Sequence, residues 1–571
     1  MTMLTKWGAA LDRSCPLPEY PRPQLRRESF YNLNGVWDYA VTPSGDEPEV
    51  WDGEIVVPFS PEAPLSGAAR GPAKDEYLHY RRGFTLPEGF QKSRVLLHFG
   101  AVDQIAEVFV NGVSAAKHSG GYWPFSADIT SLLREGENIL RVTVRDNADD
   151  PTFAYGKQRY KRGGMWYTAQ SGIWQTVWLE SVPEVYVKSL RITPEFDEAR
   201  VRIELETALE SSAAITCDVR AADGSFVAGS WAKGGVCVVP LPGFRAWTPD
   251  DPYLYTLDIT CGEDHVESYF AMRKFSYVEL GGHKVFGLNN APLFHNGLLD
   301  QGYYPDGLLT PPSDEAMVND IETMKRCGFN MLRKHIKIEP LRWYYHCDRL
   351  GMIVWQDMVS GGQPYSFLHV SALPTLGKVD LPDQDAKPYG RSGVLSRARF
   401  RREMADTVRL LYNCPCIALW TVFNEGWGQF DALDMANELK KLDPTRFIDH
   451  ASGWQDQGYE EMKSRHIYFR PVKLKNDGRA LALTEYGGYI LAVDGHRWTD
   501  KVFGYRICRN SAALAHDYEK LMLGQVLPHI RKEGLTAAVY TQITDVEEEL
   551  NGLMTYDREV LKIPEETLRE I

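Results

Sequence analysis

The chain is 571 residues long, 44% hydrophobic and 25% charged, with a formal net charge of −14. That length predicts three or four domains, or two with one large barrel, and the composition excludes a mainly disordered or collagen-like chain. The acidic balance gives no general attraction to nucleic acid or anionic membranes, and no run of about 18 apolar residues offers a membrane span.

The N-terminus, M-T-M-L-T-K-W-G-A-A-L-D, lacks the apolar core of a secretory signal. The first third then reads as β. Val95, Leu97 and Phe99 recur at every second position, and Val108 and Val110 do so just before Asn111 and Gly112, a two-residue hairpin signal. E-N-I-L-R-V-T-V-R and Q-T-V-W-L-E-S add two more such runs. Short strands broken by Gly, Pro and Asn predict a jelly roll over residues 1–182. From 183 to 274, V-K-S-L-R-I-T-P, R-V-R-I-E-L-E-T and L-Y-T-L-D-I-T are spaced as in a small immunoglobulin-like sandwich. Pro249 and Pro252 keep R-A-W-T-P-D-D-P-Y-L-Y out of its central strands.

After residue 275 helices alternate with short apolar runs. Ser313 can cap a helix with Met317, Ile321 and Met324 on one face and Gly328 at its end. Phe400, Met404, Val408 and Leu411 mark another. Eight strands are predicted between the helices, at Leu293–Leu298, Phe329–Arg333, Met352–Gln356, Ile417–Phe423, Phe447–Ala451, His466–Tyr468, Leu481–Thr484 and Ala537–Gln542. Over residues 275–571 this pattern suits a (β/α)8 TIM barrel, and neither a dinucleotide fingerprint nor a P-loop is present.

Reacting groups of such barrels sit at the C-terminal strand ends. Those positions carry Arg333 and His335, Asp357, Asn424 and Glu425, Trp454, His466 and Tyr468, Glu485, and Tyr540 with Gln542. Two carboxylic acids, cationic and amide donors and several aromatic rings are the inventory for holding a polyhydroxylated ring and cleaving an acetal. A nucleophilic carboxylate needs hydrogen-bond donors to stay ionised, and an acid needs a raised pKa. Glycine follows both Glu425 and Tyr486, so the backbone can turn sharply beside each acid. Cys414 and Cys416 flank Pro415 with no second pair or His at ligand spacing, so no metal or cofactor site is predicted. Nine scattered cysteines in a chain of this size read as reduced thiols of a cytoplasmic protein. His118 and Trp123 could reach the pocket from the jelly roll, but nothing in their spacing requires it. The long connection Val359–Gly390 follows the third barrel strand and is expected to narrow the pocket and set specificity.

At these residues the sequence resembles glycoside hydrolase family 2, over essentially its whole length. S-G-I-W-Q-T-V-W-L-E (Ser171 to Glu180) resembles the end of the family's sugar-binding jelly roll, and W-T-P-D-D-P-Y-L-Y (Trp247 to Tyr255) its sandwich signature. G-F-N-M-L-R-K-H (Gly328 to His335) is similar to the first barrel signature, F-N-E-G-W (Phe423 to Trp427) to the acid/base motif and T-E-Y-G-G (Thr484 to Gly488) to the nucleophile motif. The resemblance implies Glu425 as acid/base and Glu485 as nucleophile. It implies that Asn424 holds the sugar 2-hydroxyl, that Tyr468 donates its phenol to the nucleophile, and that Arg333 and His335 shape the floor.

Family β-glucuronidases carry an N-x-K motif that grips the sugar carboxylate. D-V-E-E-E-L-N-G-L-M-T-Y (Asp545 to Tyr556) has no lysine there and is acidic, which repels a uronate if it lies near the pocket. The extra C-terminal domains of the large β-galactosidases are not expected either. The reading is a three-domain, exo-acting, retaining β-glycosidase with β-D-galactose as glycone; related pyranosides such as α-L-arabinopyranose share that ring stereochemistry. β-Glucuronidase is the rival among enzymes, and a carbohydrate-binding protein without catalysis the rival outside them. A carbohydrate is the expected partner, and a homo-oligomer built through the sandwich domain is compatible with the family.

Overall fold

The computed structural model describes residues 3–209, 214–232, 234–377 and 380–571. A four-stranded and a six-stranded antiparallel sheet face each other in the N-terminal third. Their inward side chains, among them Trp37, Tyr80, Leu97, Val108 and Leu179, make one apolar core. Asn111 and Gly112 turn the hairpin between Ile105–Val110 and Val113–Ser119 with φ of 52° and 82°, the left-handed pair that a tight two-residue turn requires. The next sandwich packs a three-stranded sheet against a four-stranded one around Val201, Ile203, Val219, Leu257 and Ile259.

Two buried side chains tie these layers together. Arg27 donates to Asp264 Oδ1 at 2.9 Å, Glu180 Oε2 at 3.0 Å and the Val187 carbonyl at 2.6 Å, joining the N-terminal strap, jelly roll and sandwich. Trp247, fully buried, donates its indole N–H to the Asp348 carbonyl at 2.7 Å, which locks the W-T-P-D-D-P crossing onto the barrel helix Leu341–Leu350.

The barrel is eight parallel strands: His295–Asp300, Met331–Lys334, Ile353–Asp357, Ile417–Thr421, Phe447–Asp449, Met462–Ile467, Ala480–Gly487 and Leu535–Thr541. Neighbours pair in order all round the ring except between the fifth and sixth strands. All eight fall where the sequence puts them, but the sixth starts earlier than expected. Along its inward face Met462 is followed by the polar Ser464 and His466, with Ser464 Oγ 3.0 Å from both Asp449 Oδ1 and the Ala451 carbonyl, so hydrophobic alternation does not mark it. Ser313 caps the helix Asp314–Arg326 by accepting from the Ala316 N–H at 3.2 Å. In the helix Val394–Leu411, Phe400, Met404, Val408 and Leu411 are all buried. No helix among the described residues is long and apolar enough to cross a membrane.

Residues 146–171 of the jelly roll leave their own sheets and run to the barrel mouth. The Gly156 N–H donates to the Ser360 carbonyl at 2.9 Å, and the Tyr155 hydroxyl to the Gly362 carbonyl at 2.8 Å. The Thr168 and Gly164 N–H groups donate to Glu547 and Glu548, at 2.8 Å each. The jelly roll thereby supplies a wall of the barrel's cleft.

Candidate active site

Arg333, at the end of the second barrel strand and fully buried, organises the mouth. Its Nε and Nη2 grip Asp357 at 2.9 Å each, Nη1 donates to Glu485 Oε1 at 3.0 Å, and Nη2 donates to Asn424 Oδ1 at 2.8 Å. Burial alone pushes the Asp357 carboxyl up, but Arg333 and His335 outweigh it and hold it down to about 2. His335 Nδ1 lies 2.8 Å from Asp357 Oδ2, and burial lowers the His335 pKa. This bidentate arrangement fixes the guanidinium, and through it Glu485 and Asn424, in one geometry. Asn424 Oδ1 being occupied, its amide N–H groups remain for a ligand oxygen.

Glu485, near the end of the seventh strand, accepts a second bond from the Tyr468 hydroxyl at 2.5 Å. That hydroxyl also lies 2.9 Å from Thr541 Oγ1, and the Tyr468 ring stacks on Tyr505 at 3.8 Å between centroids. One charge-assisted hydrogen bond is worth roughly 1.5–3 kcal/mol, so Tyr468→Phe is expected to lower turnover on the order of 10- to 100-fold while melting stays near wild type. An unchanged kcat on nitrophenyl glycosides would remove Tyr468 from the account.

Glu425 follows the fourth strand with φ of 54°, a left-handed backbone that a non-glycine residue adopts at a cost of about 1–3 kcal/mol. Its N–H donates to the Ser452 carbonyl at 2.9 Å, and its carbonyl accepts from the Trp454 indole at 2.8 Å, so the strained turn is held on both sides. Burial raises the pKa of its carboxyl, against the opposing charges of Lys157, His335 and Arg333. Its Oε1 lies 2.9 Å from His466 Nδ1, whose ring also stands 3.6 Å from Glu485 Oε2. Burial lowers the His466 pKa to about 3, so the ring is neutral. Gly453 makes this approach possible: at φ of +94°, a Cβ there would lie 2.6 Å from the His466 ring.

Glu425, His466 and Glu485 each place one ligand-capable atom within 4.8 Å of the others, the one group of three metal-capable side chains together among the described residues. Three separate strands supply it, so sequence spacing does not reveal it. Glu485 already accepts from Arg333 and Tyr468. A cation there would have to compete with these two bonds. EDTA is therefore expected to leave most activity intact; loss on chelation, restored by magnesium, would contradict this.

Of the predicted site residues, the structure brings together Arg333, His335, Asp357, Asn424, Glu425, Trp454, His466, Tyr468 and Glu485. Tyr540 does not join them. Its ring lies behind the seventh strand among Tyr486, Tyr489 and Tyr518, against the bare Cα of Gly487, and its hydroxyl accepts from the Tyr489 N–H at 3.3 Å. Strand alternation sends Tyr540 toward the helices and the next residue, Thr541, toward Tyr468. Trp123 and His118 face the helix Val394–Leu411 instead of the mouth: Trp123 Nε1 donates to Thr407 at 3.2 Å, and His118 stacks on Phe125 at 4.2 Å.

The connection 359–390, whose residues 378–379 lie outside the described residues, rests on the fifth strand's loop. Val370 and His369 carbonyls accept from Trp454 Nε1 at 3.0 Å and Gln455 Nε2 at 2.8 Å. Thr541, Tyr505 and Lys157 were not among the residues singled out from the sequence, and Glu549 was there only as part of the acidic run Asp545–Tyr556. Glu549 is buried, accepts from the Tyr167 hydroxyl and has its pKa raised by burial; it also feels the charge of Glu485, so this residue of the acidic run stands near the two acids. Lys157 had one signal, the basic and aromatic run Tyr155, Lys157, Arg159, Tyr160, Lys161 and Arg162 in an acidic chain.

Family models match three consecutive stretches: the sugar binding domain of glycosyl hydrolases family 2 at residues 64–183, the glycosyl hydrolases family 2 model at 185–273, and that family's TIM barrel domain at 311–473. A β-galactosidase of Thermoanaerobacter pseudethanolicus is 25% identical over 64% of this chain; the match spans only 47% of that protein, about half its length. A β-glucuronidase of Paenibacillus borealis is 22% identical over 83% of this chain and 85% of its own. The solved β-glucuronidase of an uncultured Clostridium superposes with a TM-score of 0.74 at 19% identity, covering 96% of this chain and 98% of the other, a likeness of fold.

Proposed function

The chain belongs to glycoside hydrolase family 2, and from that membership we propose that it is a retaining exo-β-glycosidase. The observation that carries the reading is the pair of acids. Carboxylate oxygens of Glu425 and Glu485 lie within 4.8 Å of each other, in keeping with the roughly 5–5.5 Å carboxyl separation of retaining enzymes and too close for an intervening water. Their surroundings differ as two roles demand. Arg333 and Tyr468 aim Glu485 as the nucleophile, whereas burial raises the Glu425 pKa, as a general acid needs. Glu425 protonates the departing oxygen as Glu485 attacks the anomeric carbon. Glu425 then deprotonates the water that hydrolyses the glycosyl-enzyme. Asn424 holds the 2-hydroxyl, His335 and His466 offer further polar contacts, Trp454 lines the aglycone side, and Asp357 keeps Arg333 in place.

The glycone is neutral, with β-D-galactose first. Glu549 on the wall disfavours a carboxylate-bearing sugar, and the relative from Thermoanaerobacter is named a β-galactosidase. A panel of nitrophenyl glycosides tests this: faster turnover of the galactoside or α-L-arabinopyranoside supports it, preference for the glucuronide overturns the sugar, and turnover of none favours a binding protein.

A further inference from the structure

Lys157 belongs to the jelly roll, just before a small parallel ribbon in which Gln158–Arg159 pairs with Tyr167–Thr168. Its carbonyl accepts from the Tyr167 N–H at 2.9 Å, and the neighbouring Gly156 N–H is tied to the loop after the third barrel strand at 2.9 Å, so the backbone is anchored on both sides. The residue is 8% exposed. Among the described residues its ammonium makes no hydrogen bond and no ion pair; it lies 5.7 Å from the face of Trp166. Trp166 packs edge-on against Trp427, two residues beyond Glu425, at 5.1 Å. The next residue, Tyr167, donates its hydroxyl to Glu549. Glu425, Glu549 and the His335 ring all lie near enough to feel the Lys157 charge.

The ammonium has no protein partner among the described residues, so its three donors are free for oxygens of a ligand. Groups around it already account for much of a bound sugar. Glu485 and Glu425 take the anomeric carbon and the glycosidic oxygen, and Asn424 the 2-hydroxyl. The hydroxyls on carbons 3, 4 and 6 remain; beside the His335 ring, Lys157 can donate to them and Glu549 can accept from them. We infer that Lys157 is a specificity-determining residue supplied by the jelly roll, donating to a hydroxyl at the far end of a neutral glycone while Glu549 accepts from the same end; this rests on the glycosidase reading above. A uronate carboxylate would also attract Lys157, but it would have to lie beside Glu549, whose carboxylate repels it.

Calorimetric binding of 1-thio-β-galactosides, which the enzyme does not turn over, tests the inference apart from hydrolysis. The parent sugar and its 3-, 4- and 6-deoxy analogues are titrated into wild type and Lys157→Met. Wild type is expected to lose roughly 10- to 100-fold in Kd with one of the deoxy sugars. Lys157→Met is expected to bind the parent weaker by a similar factor and to lose nothing further with that same analogue. Its melting temperature should stay near that of wild type, because the ammonium holds no protein partner; a purely structural lysine would lower it. Equal additional losses in both proteins with every analogue, unchanged affinity of the variant for the parent, tighter binding of the thio-glucuronide than of the galactoside, or no binding by wild type would each overturn the inference. Failure to hydrolyse any glycoside of the nitrophenyl panel would instead count against the glycosidase reading.

Discussion

Glu485→Ala is expected to lose turnover of every glycoside, by about four orders of magnitude or more, because no covalent intermediate can form without the attacking carboxylate. The leaving group should make no difference: an activated aryl glycoside is as dependent on nucleophilic attack as an alkyl one. The variant should still fold. Removing the side chain deprives Arg333 of one partner, but Asp357 continues to hold it with two bonds at 2.9 Å each, and Asn424 with one at 2.8 Å. Substrate binding should therefore survive, and calorimetry with an unreactive thioglycoside would separate lost chemistry from lost structure. Residual activity within about tenfold of wild type would refute the role of Glu485.

Glu425→Ala should fail differently. General acid–base help is worth typically 10²- to 10⁴-fold, and the loss should scale with the basicity of the leaving group. Dinitrophenyl glycosides, which depart with little protonation, should keep useful rates of glycosyl-enzyme formation, whereas alkyl glycosides should not. Azide should accelerate the variant on activated substrates by replacing the water that Glu425 no longer activates, and the product should be the β-glycosyl azide. The pH profile follows from the same group. Burial raises the Glu425 pKa, and the first step needs the protonated form. Wild-type activity must therefore fall as pH rises through that raised value, and Glu425→Gln on an activated substrate should lack this alkaline limb. An unaltered alkaline limb in the variant would place the titrating acid elsewhere.

Local pattern made the barrel legible. Seven of its strands are short apolar runs, and the cap at Ser313 and the buried stripe Phe400, Met404, Val408 and Leu411 mark its helices. The acids were legible because each ends such a run beside glycines. Strand parity within a barrel was harder to read. Tyr540 and Thr541 are adjacent, and only the register of the eighth strand beside the seventh decides that the threonine meets Tyr468 and the tyrosine packs behind Gly487. Contacts between domains were not legible. Lys157 stands over 250 residues before Glu425, in a loop without periodicity, and reaches the pocket because residues 146–171 are stitched to the connections after the third and eighth barrel strands. His118 and Trp123, which nothing in their spacing tied to the pocket, are kept from it by the same kind of contact: Trp123 is bonded to Thr407 of a barrel helix.

The central claim, that Glu485 is the nucleophile of a retaining reaction, is tested most directly by trapping. A 2-deoxy-2-fluoro-β-galactoside with a dinitrophenyl leaving group slows both steps, because the fluorine disfavours the oxocarbenium-like transition state, while the good leaving group keeps the first step the faster. Peptide mass spectrometry of the inactivated protein should find the fluorosugar on Glu485. A label on Glu425 or any other residue, or turnover of the fluoroglycoside to the inverted sugar with no labelled protein, would contradict the account.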